Sequence, residues 1–119
     1  ALMPQVVLLL FAGPEMPCKL QHAFLFARDV VARGGQATIL FEGNSPQWLP
    51  LLAESEHPLF KMFTTVLEAG LIGGVCRGCA LVHGALASAE SLGLPLLSDA
   101  YGHVSLAPYL AEGWEIVTL

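Results

Sequence analysis

The sequence predicts an α/β protein, a three-layer α/β/α sandwich built on a five-stranded, mainly parallel sheet. Short apolar segments alternate with segments whose apolar residues recur at helical spacing, and the connections between them contain Gly and Pro. Hydrophobic residues make up 55% of the 119 residues and charged residues only 13%, which is typical of a sheet covered on both faces. We therefore expect one domain over residues 1–119, with further apolar surface buried between subunits of an oligomer.

The first strand and helix are marked by Pro and Gly. Residues 5–12, "QVVLLLFA", form an apolar run that ends at Gly13 and Pro14, as expected of a strand buried on both faces. The helix is predicted over residues 17–33, because Pro17 suits a first turn and two glycines follow the last apolar position.

The middle of the chain is predicted to hold the second strand and two helices. Residues 36–43, "QATILFEG", read as a strand. A short helix opens at Ser45 and Pro46, and a second helical segment runs to Gly70, because His57 and Pro58 interrupt the helical spacing between them.

The last three strands follow with shorter helices between them. The third strand is "LIGGVC" at residues 71–76, and residues 79–92 are predicted as a helix that ends at a glycine. Residues 94–98, "LPLLS", predict a fourth short strand. A final helix over residues 103–112 and a strand over residues 114–119 complete the fold.

Right-handed crossovers between successive strands place the helices against the sheet. We expect the flavodoxin-like strand order 2-1-3-4-5, in which strands one and three are neighbours and ligands bind at their carboxyl ends. Cys76 falls at that edge, together with the turn over residues 13–18 and the loop over residues 98–103. The segment "GGVCRGCALVHG", residues 73–84, therefore occupies the predicted position of a site.

Charge and composition exclude several classes of function. The net charge is −5 and the five basic residues are scattered, so we expect no nucleic-acid binding. No apolar run approaches the roughly 20 residues that a bilayer requires. Three cysteines without framework spacing indicate reduced thiols in the cytoplasm. Ala1 and Leu2 precede Met3, and we expect them to be an artificial extension.

No cofactor is expected. A flavin or nucleotide needs backbone N–H groups after the first strand, but the turn over residues 13–17 contains two prolines and a glutamate that repels phosphate.

Cys76 admits two interpretations. It ends a predicted strand and precedes a helix start, with Arg77 beside it, and this position favours a thiolate nucleophile. Cysteine is also among the most buried residue types, so Cys76 can equally be a small hydrophobic core residue. The residues alone leave both interpretations open.

Other chemistry remains open at the same segment. Cys76 and Cys79 form a C-x-x-C pair that reversible oxidation could join, although thioredoxin-like pairs follow a first strand rather than a third. A metal set is the further alternative, with ligands at Cys18, Cys76, Cys79 and His83. A Cys/His protein of this kind would bind a metal or a small ligand without turnover.

The loop after the fourth strand supplies polar candidates. Asp99, Tyr101 and His103 lie close together in the sequence and could direct a proton, but polar residues are common in loops. We treat them, with Arg77, as auxiliary binding residues.

The chain resembles the DsrE/DsrF-like sulfur-relay family nearly from end to end. "VVLLLFAGPEMPCKLQHAFLFARDVVARGGQ" is similar to the family's first strand, Gly-Pro turn and Ala/Phe-rich helix, and "ILFEGNS" is similar to its second strand. "VCRGCALVHG" resembles its strand-end cysteine and the following helix start, and "SLAPYLAEGWEIVTL" its final helix and strand.

The resemblance implies a sulfurtransferase that carries sulfur as a persulfide on Cys76, received from a donor protein and passed to an acceptor thiol. It also implies a trimer or hexamer, homomeric or heteromeric. Cys79 lies outside the matched motif, and we interpret it as an auxiliary thiol. If Cys79 attacked a persulfide on Cys76, sulfide would be released and a disulfide would remain, as in a thiol redox protein.

Overall fold

The computed structural model describes residues 3–119, so Ala1 and Leu2 lie outside the described residues. The strands are β1 (Gln5–Leu10), β2 (Gln36–Phe41), β3 (Ile72–Cys76), β4 (Leu96–Leu97) and β5 (Glu115–Thr118). The helices are α1 (Pro17–Ala32), α2 (Trp48–Leu52), α3 (Phe60–Glu68), α4 (Arg77–Val82), α5 (Leu86–Ser91) and α6 (Ala107–Ala111), and a 3₁₀ turn at Ser45–Gln47 leads into α2.

All strand pairs of the five-stranded sheet are parallel, and helices lie on both sides, so the predicted α/β fold class is confirmed. The strand order is β4-β3-β2-β1-β5. The expected order 2-1-3-4-5 is therefore wrong, because β2 lies between β1 and β3. The chain steps steadily from β1 to β4 and then returns to the far side of β1.

This order distributes the helices unevenly. Successive right-handed crossovers in one direction place their helices on one face of the sheet. Leu8, Leu10, Ile39 and Phe41 project to that face, where residues of α1 to α5 complete the main core. The opposite face has a smaller core around Val7, Leu9 and Leu40, covered by the segment after β4 and by residues around α6.

Two predicted helices differ from the structure. The predicted helix over residues 79–92 is two helices, α4 and α5, because Gly84 takes a left-handed conformation with φ 65° and ends the first. The last helix is shorter than residues 103–112, because residues 100–103 form a tight turn instead. Both differences shape the segment that carries the candidate site.

The carboxyl ends of β2, β3 and β4 meet at one edge, and Cys76 is the last residue of β3. The reversal of chain direction lies between β1 and β5, so Cys76 is not at the topological switch point that we expected.

None of the helices over residues 3–119 is long and apolar enough to cross a membrane.

Candidate functional site: a Cys-Cys-His cluster

Cys76 lies at the junction of β3 and α4, as the sequence predicted. Its side chain is 0% exposed, so solvent does not reach the sulfur. The Cys76 sulfur lies 3.1 Å from His103 Nδ1, which is hydrogen-bond distance. The buried thiol therefore has a titratable partner that comes from a distant part of the chain.

Cys79 follows one helical turn later and is partly exposed. Its sulfur lies 3.7 Å from the same His103 Nδ1. The two sulfur atoms and a ring nitrogen of His103 all lie within 4.8 Å of one another. A single imidazole thus contacts both members of the C-x-x-C pair.

A two-residue turn delivers His103 to the cysteines. Ala100 and His103 exchange two backbone hydrogen bonds of 2.9 Å, and the two residues between them have φ values of 55° (Tyr101) and 85° (Gly102). Positive φ at both central positions is the signature of a type I′ turn. Gly78 N–H donates to the Gly102 carbonyl oxygen at 2.9 Å, which fastens this turn to the start of α4.

Gly78 leaves the space that the histidine ring fills. A Cβ atom at residue 78 would lie 2.7 Å from both His103 Nδ1 and Nε2, closer than side-chain atoms approach in proteins. The middle of the "CRGC" segment is therefore a contact surface for the ring. Sequence reasoning considered the cysteines of this segment and overlooked the glycine between them.

Glu42 and Gly43, directly after β2, complete the surroundings of Cys79. The Gly43 backbone N–H lies close enough to Cys79 to lower the pKa of its thiol. Glu42 is half-buried, and its Oε2 atom is buried without a hydrogen-bond partner among residues 3–119. Burial raises the pKa of the Glu42 carboxyl above its ordinary value.

Sequence reasoning missed Glu42 because it placed β1, rather than β2, beside β3. The turn over residues 13–18 was expected near Cys76 for the same reason. A signal was present in the sequence, since "ILFEG" sets a carboxylate directly after an apolar strand, at the edge where sites of parallel sheets form.

The environment of Cys79 opposes its ionisation. Burial is the largest cause that raises the pKa of the Cys79 thiol, followed by its hydrogen bond with Cys76 and by the charges of Cys76 and Glu42. The Gly43 N–H acts in the opposite direction, because it stabilises the thiolate. The net effect is a pKa of the Cys79 thiol above its ordinary value.

The remaining predicted residues are spread around the cluster. Tyr101 is fully exposed at the tip of the turn, and Asp99 is exposed beside a small hollow of about 170 Å³. Arg77 is exposed at the first position of α4. Of Asp99, Tyr101 and His103, only His103 contacts the thiols among the described residues.

The structure does not assemble the alternative metal set. Within residues 3–119, Cys76 and Cys79 are joined by His103, whereas Cys18 and His83 are outside the group. Cys18 is exposed in the first turn of α1, which follows β1, two strands away from β3. His83 caps the C-terminal end of α4, away from the carboxyl edge of the sheet.

Two hollows on the surface of residues 3–119 do not contain the cysteine pair. One, of about 670 Å³, lies at the opposite edge of the sheet and is lined by residues that include Gln5, Gln36 and Glu115. Another, of about 470 Å³, is lined by Cys18, Trp48 and His57.

The fold and the cluster define an α/β protein with a Cys-Cys-His group at the carboxyl edge of a parallel sheet. A relative from Methanocaldococcus jannaschii, uncharacterized protein MJ0733, is 33% identical over 106 residues, which are 89% of this chain and 84% of that protein. The chain belongs to the same family as this protein.

A solved structure has a similar fold. It is the conserved protein of unknown function BT1422 from Bacteroides thetaiotaomicron, with a TM-score of 0.64 and 20% identity over 97% of this chain and 95% of that one. At this identity the likeness concerns the fold alone. No protein-family model matches the sequence.

Proposed function

We propose that this chain is a sulfur carrier of the DsrE-like type, which holds sulfane sulfur as a persulfide on Cys76. The observation that carries the proposal is the 3.1 Å contact between the Cys76 sulfur and His103 Nδ1. Persulfide transfer needs a thiolate, and an imidazole at this distance can accept the thiol proton. The resemblance of "VCRGCALVHG" to the family's cysteine segment supports the same residue.

Sulfur transfer to Cys76 is an exchange that is balanced without an added oxidant. His103 Nδ1 accepts the Cys76 proton, and the Cys76 thiolate attacks the outer sulfur of a donor persulfide. A new sulfur–sulfur bond forms at Cys76, the donor's sulfur–sulfur bond breaks, and the donor thiolate leaves with the electron pair. A partner thiolate then attacks the outer sulfur on Cys76 and displaces the Cys76 thiolate.

Access to Cys76 needs the histidine to move. Cys76 is fully buried, while His103 is exposed and Cys79 is partly exposed. His103 lies on a short turn at the surface, so rotation of its side chain would open a path to the Cys76 sulfur. We expect donor binding to stabilise the open rotamer.

The proposal extends to partners and location. Donor and acceptor proteins must supply and receive the sulfur, and the reduced thiols fit the cytoplasm. Exposed apolar side chains on α4 and α6, which include Leu81, Val82 and Leu110, support an oligomer. Light scattering on the purified protein measures the subunit number, and a monomer at all concentrations would contradict this part of the proposal.

Intact-protein mass spectrometry tests the carrier function. Reduced protein is measured before and after exposure to polysulfide, with Cys76→Ser, Cys79→Ser and Cys18→Ser variants alongside. We expect the wild type and the Cys18 variant to gain one or more sulfur atoms and the Cys76 variant to gain fewer than the wild type. A gain that is indifferent to Cys76 refutes the mechanism.

The same spectra separate the carrier from a thiol redox protein. If Cys79 attacks the inner sulfur of a Cys76 persulfide, the chain loses two hydrogen atoms as the disulfide forms and hydrosulfide leaves. Accumulation of that species in the wild type, and of a stable persulfide only in the Cys79→Ser variant, would favour the redox function.

A further inference from the structure

We propose that Cys76, Cys79 and His103 bind one Zn²⁺ ion through their two sulfur atoms and Nδ1, with the fourth coordination position open. This inference does not rest on persulfide chemistry, although it uses the same side chains. Two segments distant in sequence, the β3–α4 junction and the turn with His103, bring these donor atoms together. The ligand set differs from the one that sequence spacing suggested, because His103 takes the place of Cys18 and His83.

The distances between the donor atoms fit tetrahedral coordination. Zinc bonds of about 2.3 Å to sulfur and about 2.0 Å to nitrogen place pairs of ligand atoms roughly 3.5–3.8 Å apart. His103 Nδ1 lies 3.1 Å from the Cys76 sulfur and 3.7 Å from the Cys79 sulfur. All three donor atoms lie within 4.8 Å of one another, so shifts of no more than about 1 Å bring them to this geometry.

The chemistry of the donors selects a soft or borderline ion. Thiolate and imidazole are ligands that zinc prefers, whereas magnesium and calcium require oxygen atoms. Binding would release two thiol protons to solvent, and the resulting group of one Zn²⁺ and two thiolates has no net charge. A neutral group suits Cys76, which is fully buried, better than an isolated thiolate does.

The backbone that carries the ligands is held in place before a metal arrives. Cys76 and Cys79 are fixed by the junction of β3 and α4, and the hydrogen bond from Gly78 N–H to Gly102 fastens the turn that carries His103. Since Cys79 and His103 are not fully buried, an ion can enter from solvent.

Zinc and sulfane sulfur would exclude each other, since both consume the Cys76 thiolate. A zinc-loaded chain is therefore expected to gain less sulfur from polysulfide than the metal-free chain. This competition also allows the two proposals to be tested separately on the same samples.

Competition with a chromophoric zinc chelator tests the site. Reduced, metal-free protein is titrated with Zn²⁺, and Co²⁺ is added to a parallel sample as a spectroscopic probe. We expect one ion per chain, with a thiolate-to-cobalt charge-transfer band and the visible bands of a tetrahedral Co²⁺ complex. Absence of the charge-transfer band, or cobalt bands of an octahedral complex, would overturn the proposal.

Variants identify the ligands and supply matched controls. His103→Gln should weaken zinc binding at least about 10- to 100-fold, since it removes one of three ligands. His83→Gln and Cys18→Ser change the same residue types outside the cluster and should bind zinc as the wild type does. Equal binding in His103→Gln, or a comparable loss in either control, would overturn the assignment.

Polysulfide loading of the metal-free variants keeps the two proposals apart. Zinc binding without loading would support the metal site and contradict the carrier. Loading of Cys76 with no zinc binding in any form would contradict the metal site and leave the carrier supported. Circular dichroism of each variant confirms that a loss of binding does not reflect unfolding.

Discussion

The Gly78→Ala substitution tests the cluster without altering any of its reactive groups. Carbon atoms pack at about 3.5–4.0 Å, and a Cβ at residue 78 would lie 2.7 Å from His103 Nδ1 and Nε2. The ring must therefore retreat by about 1 Å. Its 3.1 Å contact with the Cys76 sulfur then lengthens beyond hydrogen-bond distance.

The expected changes in stability and in metal binding differ in size. Alanine in place of glycine within α4 favours the helix by about 1 kcal/mol, and the lost hydrogen bond costs roughly 0.5–1.5 kcal/mol. The free energy of unfolding of metal-free protein should thus change by no more than about 1 kcal/mol. Zinc affinity should fall about 10- to 100-fold, because a ligand is displaced.

Urea unfolding and chelator competition measure the two effects, and a double-mutant cycle assigns their cause. In a His103→Gln background the second substitution should lower zinc affinity much less, because the displaced ligand is already missing. Unchanged zinc binding by Gly78→Ala in the wild-type background would refute the reasoning. An equal loss in both backgrounds would show that residue 78 acts through the helix and not through the ring.

Three further predictions concern the thiols, the buried carboxylate and the turn. Alkylation of native, metal-free protein at pH 7, followed by peptide mass spectrometry, should be fastest at exposed Cys18 and slowest at buried Cys76. Cys79 should react at an intermediate rate, because burial raises the pKa of its thiol. Faster modification of Cys76 than of Cys18 would contradict the structure. Burial raises the pKa of Glu42, so the native state binds more protons than the unfolded chain as pH rises above the ordinary value of 4.5, and stability should fall through that window. Glu42→Gln should remove this fall and raise the free energy of unfolding at pH 7 by roughly 0.5–1 kcal/mol. This value is at the low end for an unpaired polar group, because Glu42 is only half-buried. If the stability of the wild type measured in urea did not change between pH 4 and 7, this role of Glu42 would be wrong. Tyr101→Asn should raise the thermal midpoint of unfolding, since asparagine tolerates φ of 55° better than tyrosine does. The tyrosine ring is fully exposed, so its removal costs no packing within the chain. A lower midpoint would reveal contacts of the ring in an assembly.

The sequence predicted the five strands and the position of Cys76, because buried parallel strands leave a strong signal of apolar runs ended by Gly or Pro. It did not predict which strands are neighbours. The pattern of apolar and polar residues in a crossover is the same whichever side of the sheet the next strand joins. The order 2-1-3-4-5 could therefore not be distinguished from the observed order.

The partner of Cys76 was harder to identify for a related reason. His103 was named as a candidate, but its contact with the thiol depends on a type I′ turn with Tyr101, a residue seldom found at positive φ. Regular spacing instead suggested His83, which lies four residues after Cys79 on one helix. The contact that brings the imidazole to the thiols is tertiary, and no local pattern encodes it.

The return of the chain from β4 to β5 has a consequence for folding kinetics. Val6 lies in register with Glu115, so β1 and β5 pair across nearly the whole sequence. Pairings between such distant segments form late, after the entropy of closing a long loop has been overcome. The turn with His103 belongs to that returning segment, whereas both cysteines belong to the earlier β3–α4 unit. A partly folded chain would therefore expose its thiols before it acquires their imidazole, and the reactive cluster would appear only with the native state.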